Sequence, residues 1–185
     1  HIECASIALK YSNHDESEIL DIQGGGKDLI FPHHEMSAAQ ISVLTGKELA
    51  FAYVHGGLIG YAGEKMSKSK GNLLFVSKLT EEGIDPMAIR LALLSRPYSE
   101  DTMWEKSMFK VANDRLSKWR LALARAECPD TSPVIESIIQ NLANNLDTEK
   151  AIRVIDDWSV NEATGNNGNP GELSRAIDAL LGVAI

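Results

Sequence analysis

Cysteine is scarce in this chain of 185 residues: Cys4 and Cys128 are the two it has. Two thiols do not make the framework of a disulfide-stapled secreted domain. Long apolar runs are missing as well. None approaches the roughly 18 residues that a membrane-spanning helix needs. The start shows no signal-peptide pattern, so a reducing cytoplasm is the expected compartment. Basic charge is in deficit: 18 Lys and Arg face 26 Asp and Glu, and the net charge is −8. A protein that grips a nucleic-acid backbone usually carries a basic surface. A local basic patch would suffice for RNA, yet nucleic acid is the less expected partner. There is no internal repeat. There is also no initiator Met; the chain opens in HIECASIAL, and it is expected to be a fragment or processed piece.

What is present has the profile of a globular protein, with 44% hydrophobic and 24% charged residues and length enough for a core. HIECASIAL fits a helix. EILDIQGGG predicts a short buried strand, Ile19 to Ile22, that runs into a glycine loop. Pro32 stands where a helix starts, since its missing N–H costs nothing there, and that helix is predicted over His33 to about Leu44. FAYVHGGLIGYAG predicts a second strand and a glycine turn. Strand, helix and strand in that order imply a parallel α/β sheet.

After Val76 the texture changes. Asp85 and Pro86 supply a cap and a first-turn proline, so a helix is expected over 86–95. Trp104, Met108, Ala112, Leu116, Trp119 and Leu123 form one apolar stripe and predict a helix from about 102 to 126. Val134, Ile135, Ile138, Ile139 and Leu142 repeat the pattern. Asp147 caps a fourth helix, which carries Ile152, Ile155 and Trp158. NEATGNNGNPGE, residues 161–172, reads as a polar, mobile loop. A last short helix carries Leu173, Ile177 and Leu180. The expected organisation is an α/β part over 1–76 and an α-helical bundle over 77–185, with the boundary near 77 to 84.

Four stretches carry candidate chemistry. In HIEC, Cys4 is either a thiolate metal ligand or a small buried hydrophobe. In GGGKD, residues 24–28, glycines let backbone N–H groups approach a ligand. Asp28 there could accept from ribose hydroxyls. The same glycines also make a plain tight turn, and their spacing is not the dinucleotide fingerprint. In FPHHEMS, His33 and Ser37 lie one helical turn apart. Histidine is the commonest metal-binding side chain, and it is also an ordinary first-turn residue. In EKMSKSKGN, Lys65, Lys68 and Lys70 crowd into six residues, with Ser67, Ser69 and Gly71 between and after them. That is a polyphosphate clamp of point charges or a solvated basic loop.

KMSKS, residues 65–69, resembles the second signature of class I aminoacyl-tRNA synthetases. With HIEC and GGGKDLIFPHHE in this order and spacing, the chain looks like the cysteinyl branch. Two families share these blocks: cysteinyl-tRNA synthetases, and the actinobacterial cysteine ligases of mycothiol synthesis. DIQGGGKDLIFPHHEMSAAQ, YVHGGLIGYAGEKMSKSKGNLLFVSKL and DPMAIRLALLSRPYSEDTMW resemble the second. The resemblance covers residues 1 to 126 well and is looser beyond. Ser37 is the discriminating residue, because cysteinyl-tRNA synthetases generally carry a glutamate there. A hydroxyl that is not ionised near neutral pH is a poor zinc ligand. It fits a site with three protein ligands, completed by the substrate's sulfur. If Ile185 is the natural end, one helical domain is expected to leave little to bind an anticodon.

The resemblance implies the C-terminal half of a class I synthetase Rossmann-like domain, with its KMSKS loop, followed by the helical domain. It implies an ATP-dependent ligase. Cysteine and ATP give cysteinyl-adenylate and pyrophosphate; the amine of glucosaminyl-inositol then takes the cysteinyl group and AMP leaves. Cys4 and His33 would hold one zinc ion. Gly26, Lys27 and Asp28 would lie along the adenylate, Asp28 on ribose. Lys27 departs from the family's serine and would either touch phosphate or stand in solvent. Ile59 would meet adenine through its backbone. Lys65, Met66, Ser67, Lys68 and Ser69 would bind the nucleotide, Lys65 and Lys68 being catalytic. ATP would act as substrate with magnesium. A His-x-Gly-His signature, a further zinc-binding cysteine and a pocket tryptophan are expected upstream, so residues 1–185 alone are expected to be inactive. Cysteinyl-tRNA synthetase is the alternative. A non-catalytic binding module is a third reading, against which the intact KMSKS speaks.

Overall fold

Helix and strand alternate from the start. Helix α1 (Ile2–Tyr11) is followed by strand β1 (Glu18–Gly26), helix α2 (Glu35–Thr45) and strand β2 (Glu48–Gly56). The computed structural model describes residues 1–12, 18–61, 63–162 and 168–185. They form two compact units, one of residues 1–58 with 99–101, the other of residues 59–98 with 102–185.

In the first unit, β1 and β2 pair in parallel from Glu18 opposite Glu48 to Gly26 opposite Gly56. A parallel pair needs a crossover, and α2 provides it. Gly46 ends α2 in the left-handed conformation, at φ 71°, which a residue without Cβ adopts at little cost. Ala5, Ile19, Ile41 and Leu49 close the small core between helices and strands. Two expectations change here. Gly24, Gly25 and Gly26 are not a loop after the strand; they are its last three residues, paired with Val54, His55 and Gly56. Pro32 does not open the helix. The Phe31–Pro32 peptide is cis, residues 30–34 make a wide turn, and α2 begins at Glu35.

The second unit is mainly helical. Strands β3 (Ile59–Tyr61), β4 (Glu64–Lys65) and β5 (Thr102–Trp104) make a small sheet in the order β4-β3-β5. Helices α3 (Val76–Glu81), α4 (Pro86–Leu94), α5 (Lys106–Leu123), α6 (Ser132–Ala143), α7 (Thr148–Val160) and α8 (Pro170–Leu181) form the rest. Asp85 caps α4 by accepting from the Met87 N–H at 2.8 Å. Asp147 caps α7 through the Lys150 N–H at 3.1 Å. Each satisfies an amide that the helix leaves without a partner.

Leu91, Leu116, Trp119, Ile138, Ile155, Leu173 and Ile177 are fully buried in one core. Burying each such side chain is worth about 1.5–3 kcal/mol. Trp119 donates its Nε1–H to Asp156 at 2.8 Å, and Arg115 pairs with the same carboxylate at 3.0 Å. The helix expected from 102 starts later. Trp104, expected in the helical stripe, lies instead in β5, opposite Tyr61. In α8 the inward residue is Leu181 and not Leu180, which is 37% exposed. Within the polar stretch 161–172, residues 163–167 lie outside the described residues. Among the described residues no helix is long and apolar enough to cross a membrane.

Candidate functional site

The parallel strands deliver their carboxyl ends side by side, with Gly26 opposite Gly56. Ligands of α/β sheets bind beyond such ends. After Gly26 the chain makes one tight turn, Lys27–Leu29. A Cβ on Gly26 would lie 2.6 Å from Asp28 Oδ1, so the Asp28 carboxylate folds back over Gly26. Lys27 is exposed and paired: its Nζ stands 3.6 Å from Asp101 Oδ2. Asp101 also accepts from the Leu58 N–H at 2.9 Å. That backbone donor first, and then Lys27, holds the Asp101 carboxyl below the usual carboxylate range.

The glycine triplet has a second use. His34 is buried against β1, and a Cβ on Gly25 would meet its Cε1 at 2.7 Å. His34 Nε2 lies 3.2 Å from the Gln23 amide nitrogen, and its Nδ1 lies 2.8 Å from His55 Nε2. An amide NH₂ only donates. His34 therefore accepts at Nε2 and donates from Nδ1–H to His55. Burial first, then His55 and His33, lowers the His34 pKa from its ordinary 6.5, in keeping with a neutral ring.

The candidate metal residues give a different result. Cys4 is exposed on α1. His33 has its Nδ1 2.9 Å from His1 Nδ1. The Ser37 hydroxyl donates to the His33 carbonyl at 2.8 Å, back-bonding along the chain and making no ligand gesture. Zinc sites in proteins take three or four protein ligands. Among the described residues no three His, Cys, Asp or Glu side chains come together to hold a metal. Cys4 and His33 do not by themselves make a zinc centre.

In the second unit, the KMSKS loop is built as an excursion from β4. Asn72 closes it: its Oδ1 accepts from the Ser67 N–H at 2.9 Å, and its Nδ2 donates to the Lys65 carbonyl at 3.2 Å. Gly71 turns the chain at φ 64° and donates its N–H to the Lys68 carbonyl at 3.2 Å. The Ser67 and Ser69 hydroxyls lie 3.3 Å apart. Lys70 is neutralised by Glu64 at 2.8 Å. Met66 packs against the helical core, so it anchors the loop. Lys68 projects from the exposed turn. Ile59 sits in β3 opposite Thr102. The arrangement holds lysine charge on a braced loop, which suits a polyanion.

Sequence reasoning missed Gln23, His34 and His55, and it missed Asp101 and Asn72. His55 in YVHGG and the HH doublet were visible. Their pairing joins residues 21 apart, and no local pattern reports that.

Comparison with known proteins adds family evidence. The family described as tRNA synthetases class I (C) catalytic domain matches residues 1–114. The whole chain aligns at 49% identity with a Gordonia bronchialis protein named L-cysteine:1D-myo-inositol 2-amino-2-deoxy-alpha-D-glucopyranoside ligase, covering 45% of that protein. A Streptomyces coelicolor protein of the same name is also 49% identical over the whole chain. The chain thus spans less than half the length of these relatives. Among solved structures, Agrobacterium radiobacter K84 LeuRS, in a ternary complex with tRNA, superposes with TM-score 0.60 at 18% identity, over 88% of this chain and 26% of that one. Mycobacterium tuberculosis methionyl-tRNA synthetase bound by methionyl-adenylate gives 0.57 at 16%, over 88% and 42%. At such identities these two speak for the fold alone.

Proposed function

This chain belongs to the family of class I (C) tRNA synthetase catalytic domains, and from that premise we propose that the protein carrying it ligates L-cysteine to glucosaminyl-inositol at the expense of ATP. The observation that carries the reading is the 49% identity along the whole chain to relatives named for that ligation. The cysteine carboxylate attacks the α-phosphorus of ATP, and pyrophosphate leaves. The glucosaminyl amine then attacks the adenylate carbonyl, loses a proton, and AMP leaves as the amide forms. The proposal assigns mycothiol synthesis as the setting, the cytoplasm as the location, and 1–76 and 77–185 as the catalytic and helical parts.

In this reading Gly26 and Asp28 bind the nucleoside, with Asp28 accepting from ribose. Ile59 offers its backbone to adenine. Lys65 and Lys68 place positive charge on the phosphates, with magnesium, and Met66, Ser67 and Ser69 shape their loop. Cys4 and His33 would supply two ligands to one zinc ion, with a further ligand expected from the rest of the full-length protein. The braced loop supports the lysine roles, since a preorganised charge pays no reorganisation cost during reaction.

The test is acceptor choice. The full-length protein receives ATP, magnesium and labelled cysteine with either glucosaminyl-inositol or tRNA. Labelled amide with stoichiometric AMP is expected from the sugar acceptor. Stable transfer to tRNA would overturn the reading in favour of a cysteinyl-tRNA synthetase. Lys68→Ala is expected to cost about 10²-fold or more in kcat, roughly 3 kcal/mol, with an unchanged circular dichroism spectrum.

A further inference from the structure

Asp101 reaches across 43 residues to the Leu58 amide and pairs with Lys27. Lys27 directly follows β1, and Leu58 lies two residues past the end of β2. The two strands stop in register, at Gly26 and Gly56. A ligand at these carboxyl ends meets the two connections that follow them. Both connections start from glycine, Gly26 at the end of β1 and Gly56 at the end of β2, with Gly57 next in the second, and glycine backbone has the most freedom to lose. They need a restraint from elsewhere in the fold.

Residues 99–101 supply it. They belong to the same compact unit as the strands. A Cβ on Gly57 would fall 2.1 Å from the Glu100 carbonyl oxygen, so this segment lies directly on the second connection and tolerates nothing larger than glycine there. Asp101 then accepts the Leu58 N–H and faces the Lys27 ammonium. One carboxylate therefore ties the connection after β1 to the connection after β2. We propose that Asp101 is a positioning residue for ATP, holding Gly26–Asp28 in the conformation that receives the nucleotide. This deepens the ligase reading and rests on it. The pair is roughly half exposed on both sides, 52% and 54%. Exposed ion pairs add little to stability, so its removal is expected to leave the fold intact and to move ligand affinity.

The experiment compares Asp101→Asn, Asp101→Ala and Lys27→Ala in the full-length enzyme by cysteine-dependent ATP–pyrophosphate exchange, with ATP binding by calorimetry alongside. Asparagine keeps an acceptor for Leu58 and loses the charge facing Lys27. Loss of a hydrogen bond to a charged group predicts a KM for ATP raised about tenfold in Asp101→Ala and about threefold in Asp101→Asn, with kcat within about twofold. The KM for cysteine stays unchanged. Lys27→Ala matches Asp101→Asn, and their double variant is no worse than either, because both remove the same link. An unchanged KM for ATP in Asp101→Ala overturns the proposal. So does a rise shared equally by cysteine, or a melting temperature that falls with it. If the wild-type protein binds ATP without making cysteinyl-adenylate, the ligase reading fails, and calorimetric ATP affinity alone decides the role of Asp101. If it binds no ATP, both fall.

Discussion

In the helical unit, Leu116, Trp119, Ile138, Ile155 and Ile177 are completely shielded from water. In the unit that opens at His1, the buried apolar cluster is Ala5, Ile19, Ile41 and Leu49. The other enclosed side chains there include His34 and Ser37. Phe51 and Ile22, on the paired strands, are 79% and 62% exposed. One unit is thus specified by shape and apolar area, the other by directed polar contacts and by glycines that admit them. Apolar attraction is non-directional, whereas a ring held between two hydrogen-bond partners is fixed in orientation. The unit that carries Cys4, Gly26, Lys27, Asp28 and His33 is the one whose geometry depends on single atoms.

That contrast predicts an order of effects. Trp119→Ala in the full-length protein is expected to be the most damaging to stability. It opens a cavity in the helical core and takes one of its hydrogen bonds from Asp156, at a cost of about 3–5 kcal/mol, read as a large drop in the midpoint of the helical melt at 222 nm. Gly25→Ala is expected to act elsewhere. The new methyl overlaps the His34 ring, and displacing it costs about 1–3 kcal/mol. Histidine NMR resonances of His34 and His55 should shift while the helical melt stays in place. A Gly25→Ala melt as low as that of Trp119→Ala would break the distinction between the units. Asp147→Asn is the smallest change. The Lys150 side chain first, and its N–H next, hold the Asp147 carboxyl below its ordinary 3.8. A depressed carboxyl contributes stability that is complete above the ordinary value and is lost as pH falls through the lower folded one. Asparagine still accepts from the Lys150 N–H. The variant should therefore be slightly less stable near neutrality and should lose less on acidification, in melts recorded from pH 6 downward.

Legibility in the sequence followed the range of the interactions. Asp85–Pro86 and Asp147 announced α4 and α7 because a cap acts within three residues. The stripe from Met108 to Leu123 announced α5. Trp104 fitted the same period, yet it belongs to a strand opposite Tyr61, a partner no helical periodicity contains. Gly24–Gly26 looked like a loop because glycine is a poor strand former; pairing with Val54, His55 and Gly56 overrides that preference. The candidate site was named through motifs. The motif residues Lys65, Lys68 and Asp28 were legible as types, whereas Asn72 as the loop's brace and Asp101 as the tie between strand ends needed coordinates. That Ser37 donates to the His33 carbonyl was likewise visible only in the structure.

The sequence has three tryptophans, Trp104, Trp119 and Trp158, and all three are buried in the helical unit. Light absorbed at 295 nm is therefore absorbed there. Emission from this chain reports the solvation of the helical core and is blind to the first unit, where Tyr53 on β2 and Tyr11 at the end of α1 are the chromophores. A denaturation curve followed by tryptophan emission alone would record one transition even if the strand region had already come apart. A tryptophan introduced at exposed Phe51 would give that region a voice of its own.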